Sequence, residues 1–343
     1  MRLAICSVSF TALVLSAGSA MAQQSTLYVA GYGGTFEQIM RSKVIPKFEQ
    51  EHGVKIEYVA GNSTDSLAKL QAQKGNQQID VAILDDGPMY QAIELGFCAP
   101  IEGLDKSNLF EQALYPEDKA VATGIVATGL FYNTEYFEKQ GWEPPTSWND
   151  LKDPRYKGMI VIPPINNTYG LYTLVQFARM NGGSEKDIEP GFATMIDEVN
   201  ANVLAYEPSP GKMTELFQSG QAVLGVWGSS RVQALADTGF PAAFVYPEEG
   251  AVTLLASACP VAKEGASPLA SAFVNALLDP EVQSTMAVEY GYGPVHKQVE
   301  VPEEMKATMP TGERIAEMYN SDWVTINQNR EDWTKRWNRE VER

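Results

Sequence analysis

The chain has 343 residues, with 43 acidic against 26 basic side chains and a formal net charge of −17. That length exceeds the ~250 residues at which single hydrophobic cores stop growing, so two lobes with separate cores are expected. So acidic a surface argues against nucleic acid or an anionic membrane as partner, because both require basic patches that displace counterions.

Residues 1–22 read as a signal peptide: Arg2 supplies the positive start, Leu3 to Leu15 the apolar stretch, and Ala20-Met21-Ala22 the small-residue cleavage pattern. The apolar run is broken by Ser16, Gly18 and Ser19 and is shorter than the ~20 residues a membrane anchor needs. Export to the periplasm is therefore expected. Of the three cysteines, Cys6 falls in this segment, which leaves Cys98 and Cys259 as either one disulfide or two buried thiols; both readings stay open. Two histidines, His52 and His296, with no C-x-x-C or H-x-x-x-H spacing, give no framework for zinc, and neither metal nor cofactor is expected.

Along the chain, Leu27 to Ala30 reads as a strand and Phe36 to Gln50 as a helix with apolar residues at helical spacing. Val54 to Ala60 alternates as a strand, Ser63 to Gln73 is a second helix begun by a Ser63/Thr64 cap, and Ile79 to Leu84 is an apolar strand ending at Asp85-Asp86-Gly87. This β-α-β-α-β series predicts a mostly parallel sheet flanked by helices. Ile125 to Tyr132 is a further strand, and Pro144-Pro145 with Thr146/Ser147 marks a connector. A second α/β series follows: strands at Met159 to Ile162, Val203 to Tyr206, Ala222 to Val226 and Ala242 to Tyr246, with helices at Gly170 to Met180, Phe192 to Asn200 and Lys212 to Gln218. Val252 to Val261 is another apolar strand, Pro268 to Tyr290 is helical, and the polar tail from Glu313 carries Trp323, Trp333 and Trp337 at positions suited to helix packing.

Several phrases in this series resemble those of the periplasmic substrate-binding proteins of ABC importers, and within them the spermidine/putrescine-type branch. They are "YGGTFE", the long crossover "GLFYNTEYFEKQGWEPPTSWNDLKDPRYKGMIVIPPINNTYG", "SGQAVLGVWGSSRV", "YPEEGAV", "LLDPEVQSTMAVEYGYGPVH" and the tryptophan-containing tail, in that order. The resemblance implies an α/β, two-lobed type II periplasmic-binding-protein fold with a ligand cleft between the lobes. It also implies that the chain crosses more than once, with 23–128 and 252–289 forming lobe 1 and 129–251 and 290–343 lobe 2 with the hinge. A monomer that captures a small organic solute and delivers it to an inner-membrane ABC permease is the implied function. No enzyme is expected, since there is no G-x-S-x-G elbow or metal triad and neither histidine stands in a catalytic phrase.

Open α/β sheets bind ligands at the carboxyl ends of their strands. The candidates are therefore Tyr32, Gly34 and Thr35, where Gly33-Gly34 allows a tight turn and Thr35 a helix cap; Asp85 and Asp86; Asn167, Thr168 and Tyr169; Trp227, Ser229 and Arg231; and Tyr246 and Glu248. Trp227, followed by Gly228, Ser229 and Ser230, suits an aromatic wall. Tyr290 and Tyr292, beside Gly291 and Gly293, fit a packed hinge or a rim. In the polyamine binders that the sequence resembles, aromatic faces hold the methylene chain and carboxylates clamp the amines. Trp227, Tyr246, Asp85 or Asp86, and Glu248 would serve here for a polyamine-like or zwitterionic solute. Two departures qualify that reading: Ala256 stands where the resemblance places an aspartate, and Arg231 follows the Trp-Gly-Ser phrase, where an arginine in a cleft favours an organic acid or phosphonate. Ferric ion held by tyrosines, as in related two-lobed proteins, is the other alternative, with Tyr169/Tyr172 and Tyr290/Tyr292 as the nearest pairs.

Overall fold

The computed structural model of the chain describes residues 25–306 and 308–342; the expected signal peptide lies outside the described residues. Nine strands are present among them: β1 (Thr26–Tyr32), β2 (Lys55–Gly61), β3 (Val81–Asp85), β4 (Val121–Asn133), β5 (Ile160–Ile162), β6 (Val203–Tyr206), β7 (Leu224–Gly228), β8 (Ala242–Val245) and β9 (Val252–Pro260). They join in the order β2-β1-β3-β9-β4-β7-β5-β6, with β8 also on β4. The fold is the two-lobed α/β architecture of type II periplasmic binding proteins.

In lobe 1, β1 pairs parallel with β2 and β3, as a β-α-β-α-β start dictates. β3 is buried along Val81 to Leu84, the continuous apolar pattern of a strand covered on both faces. In lobe 2, β5 pairs parallel with β6 and β7.

Two long strands run between the halves. β4, buried at all 13 positions, pairs antiparallel with β9 through Val121 to Thr128 and with β7 through Thr128 to Tyr132. β9 in turn pairs antiparallel with β3, placing Ala256 opposite Asp85. Thr128 is thus the register position at which the chain passes from one lobe's ladder to the other's.

Local caps differ from the sequence expectation in two places. Gly34, at φ 72, is the N-cap of the first helix and Thr35 its first residue, because only glycine takes a positive φ without strain. The helix Ser63–Ala72 is capped by Asn62, whose side chain accepts from the Asp65 N–H at 2.8 Å, and not by Ser63 or Thr64. The first helix also contains a π-helical turn, Met40–Val44, before it resumes at Ile45–His52. The single long helix expected from Pro268 is two, Pro268–Ala276 and Pro280–Tyr290, divided at Pro280.

Cys98 and Cys259 form a disulfide with a Cα–Cα distance of 5.7 Å, closing a separation of 161 residues. Such a bridge stabilises a fold by about 2–4 kcal/mol, chiefly by restricting the unfolded chain. The tail folds as a helix, Trp323–Glu340, with Trp323, Trp333 and Trp337 buried, in keeping with a packing role. Its side chains reach both halves: Asn327 accepts from Gln91 of lobe 1 at 3.1 Å, and Trp337 packs edge-on against Tyr206 of lobe 2 with ring centroids 5.2 Å apart.

Candidate functional site

The strand ends of both lobes face one another across a cleft. β1 ends at Tyr32, which turns through Gly33-Gly34 into a helix, and β3 ends at Asp85. Opposite them are the Asn167-capped helix Thr168–Met180, the turn Glu207 to Ser209 that follows β6 and leads into the helix Pro210–Gln218, and Trp227 at the end of β7 before the helix Ser229–Ala236. The carboxyl-end rule therefore places the site, and several helix N-termini converge on it.

Three adjoining cavities make up the cleft. A small polar chamber of about 40 Å³ lies among Tyr32, Asp85, Tyr169, Trp227 and Arg231. A larger one of about 450 Å³ opens between Gly33, Gly34 and Ala60 on one side and Pro208, Pro210 and Gly211 on the other. A third, of about 230 Å³, is walled by Thr35, Thr214, Trp227, Leu235 and Tyr290. Arg231 lines all three.

On lobe 1, each carboxylate oxygen of Asp85 already accepts one hydrogen bond. Oδ1 accepts from the Tyr32 hydroxyl at 2.8 Å and Oδ2 from the Thr168 hydroxyl of lobe 2 at 2.9 Å, while the Asp85 N–H donates to Ser63 Oγ at 2.9 Å. Burial and the Asp85 carboxylate push the Tyr32 phenol well above its usual range, so it stays a donor. On lobe 2, Tyr169 is buried over Gly228; a Cβ on that glycine would come within 2.4 Å of the Tyr169 hydroxyl, so only glycine lets the ring lie there. Asn167 accepts from the Tyr169 N–H at 3.0 Å as the helix cap. Trp227 is buried against Phe131, ring centroids 5.4 Å apart, and still presents a face to two of the cavities.

Arg231 is the cation of the site. Burial alone would lower its pKa, but the phenolic oxygens of Tyr290, Tyr169 and Tyr292 and the Asp85 carboxylate outweigh that and keep the guanidinium charged. No carboxylate among the described residues forms an ion pair with Arg231, in contrast to Arg41, Arg155 and Arg336. Glu207, the other acid of the small chamber, accepts from the Ser209 N–H at 2.8 Å.

Other candidate residues stand apart from the cavities. Asp86 is buried behind Asp85, accepts from the Tyr172 hydroxyl at 2.9 and 3.0 Å, and is pushed up to about 7 by burial and by the neighbouring Asp85 charge. Ser229 accepts from the Ala127 N–H at 3.2 Å, tying the helix Ser229–Ala236 to β4. Tyr246 and Glu248 are not brought to the cleft: the Tyr246 hydroxyl donates to the Thr308 carbonyl at 3.0 Å under the Arg314 guanidinium, and Glu248 is exposed on the turn between β8 and β9. The reason lies in the pairing. β8 runs in the same direction as β7, since both pair antiparallel with β4, but it lies on the opposite edge of β4 through Leu130 to Tyr132, where the Tyr246 hydroxyl meets the Thr308 carbonyl.

Sequence reasoning missed Asn62 and the segment Glu207 to Gly211, which line the two chambers nearest Gly34 and Asp85. Both follow strands that the sequence shows, β2 and β6, so the strand-end rule applied to every strand finds them. Tyr290, expected at a hinge or a rim, lines the third cavity, and Tyr292 stacks edge-on against it with centroids 4.9 Å apart.

Two lobes, strands that cross between them and a lined cleft at their meeting define a binding protein of the type II periplasmic class; no helix among the described residues is long and apolar enough to cross a membrane. The family model for bacterial extracellular solute-binding proteins matches residues 43–311, and the chain belongs to that family, whose members are binding proteins and not enzymes. An uncharacterized protein of Haemophilus influenzae is 29% identical over 214 residues, and the match spans 59% of this chain and 59% of that relative's length. An ABC transporter structure from Clostridium perfringens has a TM-score of 0.73 at 25% identity, covering 92% of this chain and 99% of that one. The periplasmic binding protein AfuA from Actinobacillus pleuropneumoniae, with fructose-6-phosphate bound, has a TM-score of 0.77 at 22% identity and covers 93% and 98%. The chain is thus a solute-binding protein by family.

Proposed function

We propose that the chain captures a small anionic organic solute, a carboxylate or phosphate ester, between its lobes and presents it to an inner-membrane ABC permease. In this reading it acts as a periplasmic monomer exported by residues 1–22, with 23–128 and 252–289 as one lobe and 129–251 and 290–343 as the other. The observation that carries the reading is Arg231: a guanidinium inside the cleft, bordering all three cavities and without a carboxylate partner among the described residues. An arginine so placed offers a planar fork of donors that matches a carboxylate or phosphate. The outer chamber, walled largely by glycine, alanine and proline, suits the solute's organic body. Closure is driven by the solute's preference for the closed state, to which both walls contribute.

A spermidine/putrescine-type assignment has less support. Its carboxylate clamps reduce to Asp85, already bonded to Tyr32 and Thr168, while Ala256 opposite it carries no acid and Glu248 is remote. Native mass spectrometry of protein purified without refolding tests the choice. A retained acidic solute, lost from the Arg231→Gln variant, is expected; a retained amine would overturn the reading.

Ferric ion is a second reading, favoured by one observation. Tyr169, Tyr290 and Tyr292 surround Arg231, and Tyr32 lies beside Asp85, so hard oxygen donors converge in the cleft. Against it, a guanidinium at their centre repels a trivalent cation. A visible absorption band on adding ferric salt, if it saturates at one equivalent, would select this reading over the first.

A further inference from the structure

The helix Trp323–Glu340 is fastened to lobe 2 along its length. Trp337 packs on Tyr206, Arg336 forms an ion pair with Glu189 and lies 4.2 Å from the centroid of the Phe192 ring, and Arg330 donates to the Asn166 carbonyl at 3.2 Å. The segment leading into the helix is fastened there too. The Tyr319 hydroxyl donates to the Glu185 carboxylate at 2.6 Å beneath the Arg179 guanidinium, and the Asp322 N–H donates to the same oxygen at 3.1 Å. By these ties the helix moves with lobe 2.

On lobe 1 it seats on the helix Asp86–Glu94, which begins directly after Asp85. Gln91 Nε2 donates to Asn327 Oδ1 at 3.1 Å, and the buried Trp323 ring lies on Gly87. A Cβ on Gly87 would come within 2.2 Å of that ring. The backbone itself does not ask for glycine here, since Gly87 is helical and is not among the glycines with positive φ. Glycine also weakens a helix relative to alanine, so the close approach of the indole is what the residue serves. On its other side Trp323 meets Tyr172 of lobe 2, ring centroids 5.7 Å apart. The indole is therefore wedged between the lobes, and neither it nor Gly87 lines the three cavities.

The lobes are together in this arrangement. The Thr168 hydroxyl of lobe 2 donates to Asp85 at 2.9 Å, and the Thr64 hydroxyl of lobe 1 donates to the Asn166 carbonyl at 3.1 Å. We propose that the seat of Trp323 on Gly87, with the Gln91 to Asn327 hydrogen bond beside it, is a latch made when the lobes close. The tail helix travels with lobe 2 and leaves the helix Asp86–Glu94 when they part. A contact present in only one of two states shifts the equilibrium toward that state, so the latch strengthens capture from outside the cavities. This rests on capture by closure of the lobes and is independent of the charge of the solute.

The test is a spin-label distance measurement between Asp65→Cys on lobe 1 and Lys212→Cys on lobe 2, exposed positions beside the outer chamber, with the native disulfide intact. It is made on the protein as purified and after its solute is stripped by unfolding and refolding. Gly87→Ala should lower the ratio of short to long distances at least about fivefold, the smaller end of a coupling between sites. Trp323→Leu should act in the same direction, and Gln91→Leu should lower the ratio on the order of twofold, the scale of one hydrogen bond. Gly87→Ala with Trp323→Leu should lie nearer the wild type than either alone, because the smaller side chain makes room for the methyl group. Circular dichroism should show the fold retained throughout.

If the wild type shows two distances and the single variants match it, the helix only packs and the latch is overturned. Effects of Gly87→Ala and Trp323→Leu that simply add would also overturn it, since the two residues would not be acting through one contact. One unchanging distance in every wild-type preparation would mean that the lobes do not close, and the latch would fall with closure itself. A failure of the anion reading shows separately, in the mass of the retained solute.

Discussion

The two walls of the cleft follow one construction rule and end with opposite chemistry. Lobe 1 contributes backbone turns and a single acid, Asp85, whose oxygens are already bonded to Tyr32 and Thr168. Lobe 2 contributes an indole face, a phenol, the acid Glu207, which accepts from the Ser209 N–H, and Arg231, which has no ion pair among the described residues. The difference teaches that one side of such a grip supplies shape and the other supplies charge, so affinity and solute class should respond to lobe-2 substitutions far more than to lobe-1 ones.

The strongest way to break that contrast is Arg231→Gln. Loss of a charge-assisted, two-pronged contact of up to ~3 kcal/mol should weaken binding of the retained solute roughly 100-fold by calorimetry, with the unfolding midpoint at pH 5.5 nearly unchanged. Trp227→Ala comes next, at more than about tenfold, because a buried aromatic wall acts as an anchor; circular dichroism should show the fold retained. Asp85→Asn sharpens the comparison from the other side. If its carboxylate serves only to join Tyr32 to Thr168, affinity should fall by about 3–5-fold, the scale of one weakened hydrogen bond. A loss equal to that of Arg231→Gln would instead make Asp85 a direct clamp for a cationic solute. The smallest effect should come from Tyr246→Phe with Glu248→Gln, under about twofold, since neither side chain reaches the cavities.

Much of this is legible in the residues. Alternating apolar strands and amphipathic helices indicate the α/β series, and the ends of β1, β3, β5 and β7 lead to Tyr32, Asp85, Tyr169 and Trp227, because parallel strands must point their carboxyl ends the same way. What escapes depends on pairings that linear reading does not reveal. Tyr246 looks like the others, yet β8 lies on the opposite edge of β4 from β7, although both run the same way, and its end meets Thr308 and Arg314. Whether Cys98 meets Cys259 depends on Val261 bridging Cys98 next to the end of β9. Glu207 to Gly211 is readable in principle, but Pro-Ser-Pro-Gly looks like a plain turn until its position after β6 is considered.

The most direct test of the central claim is a crystal structure of the protein with its co-purified solute. The account predicts an anionic group within hydrogen-bond distance of the Arg231 guanidinium, with the organic body in the chamber between Gly34 and Pro210. A solute held by an ammonium on Asp85, or lodged away from the seam of the lobes, would contradict it.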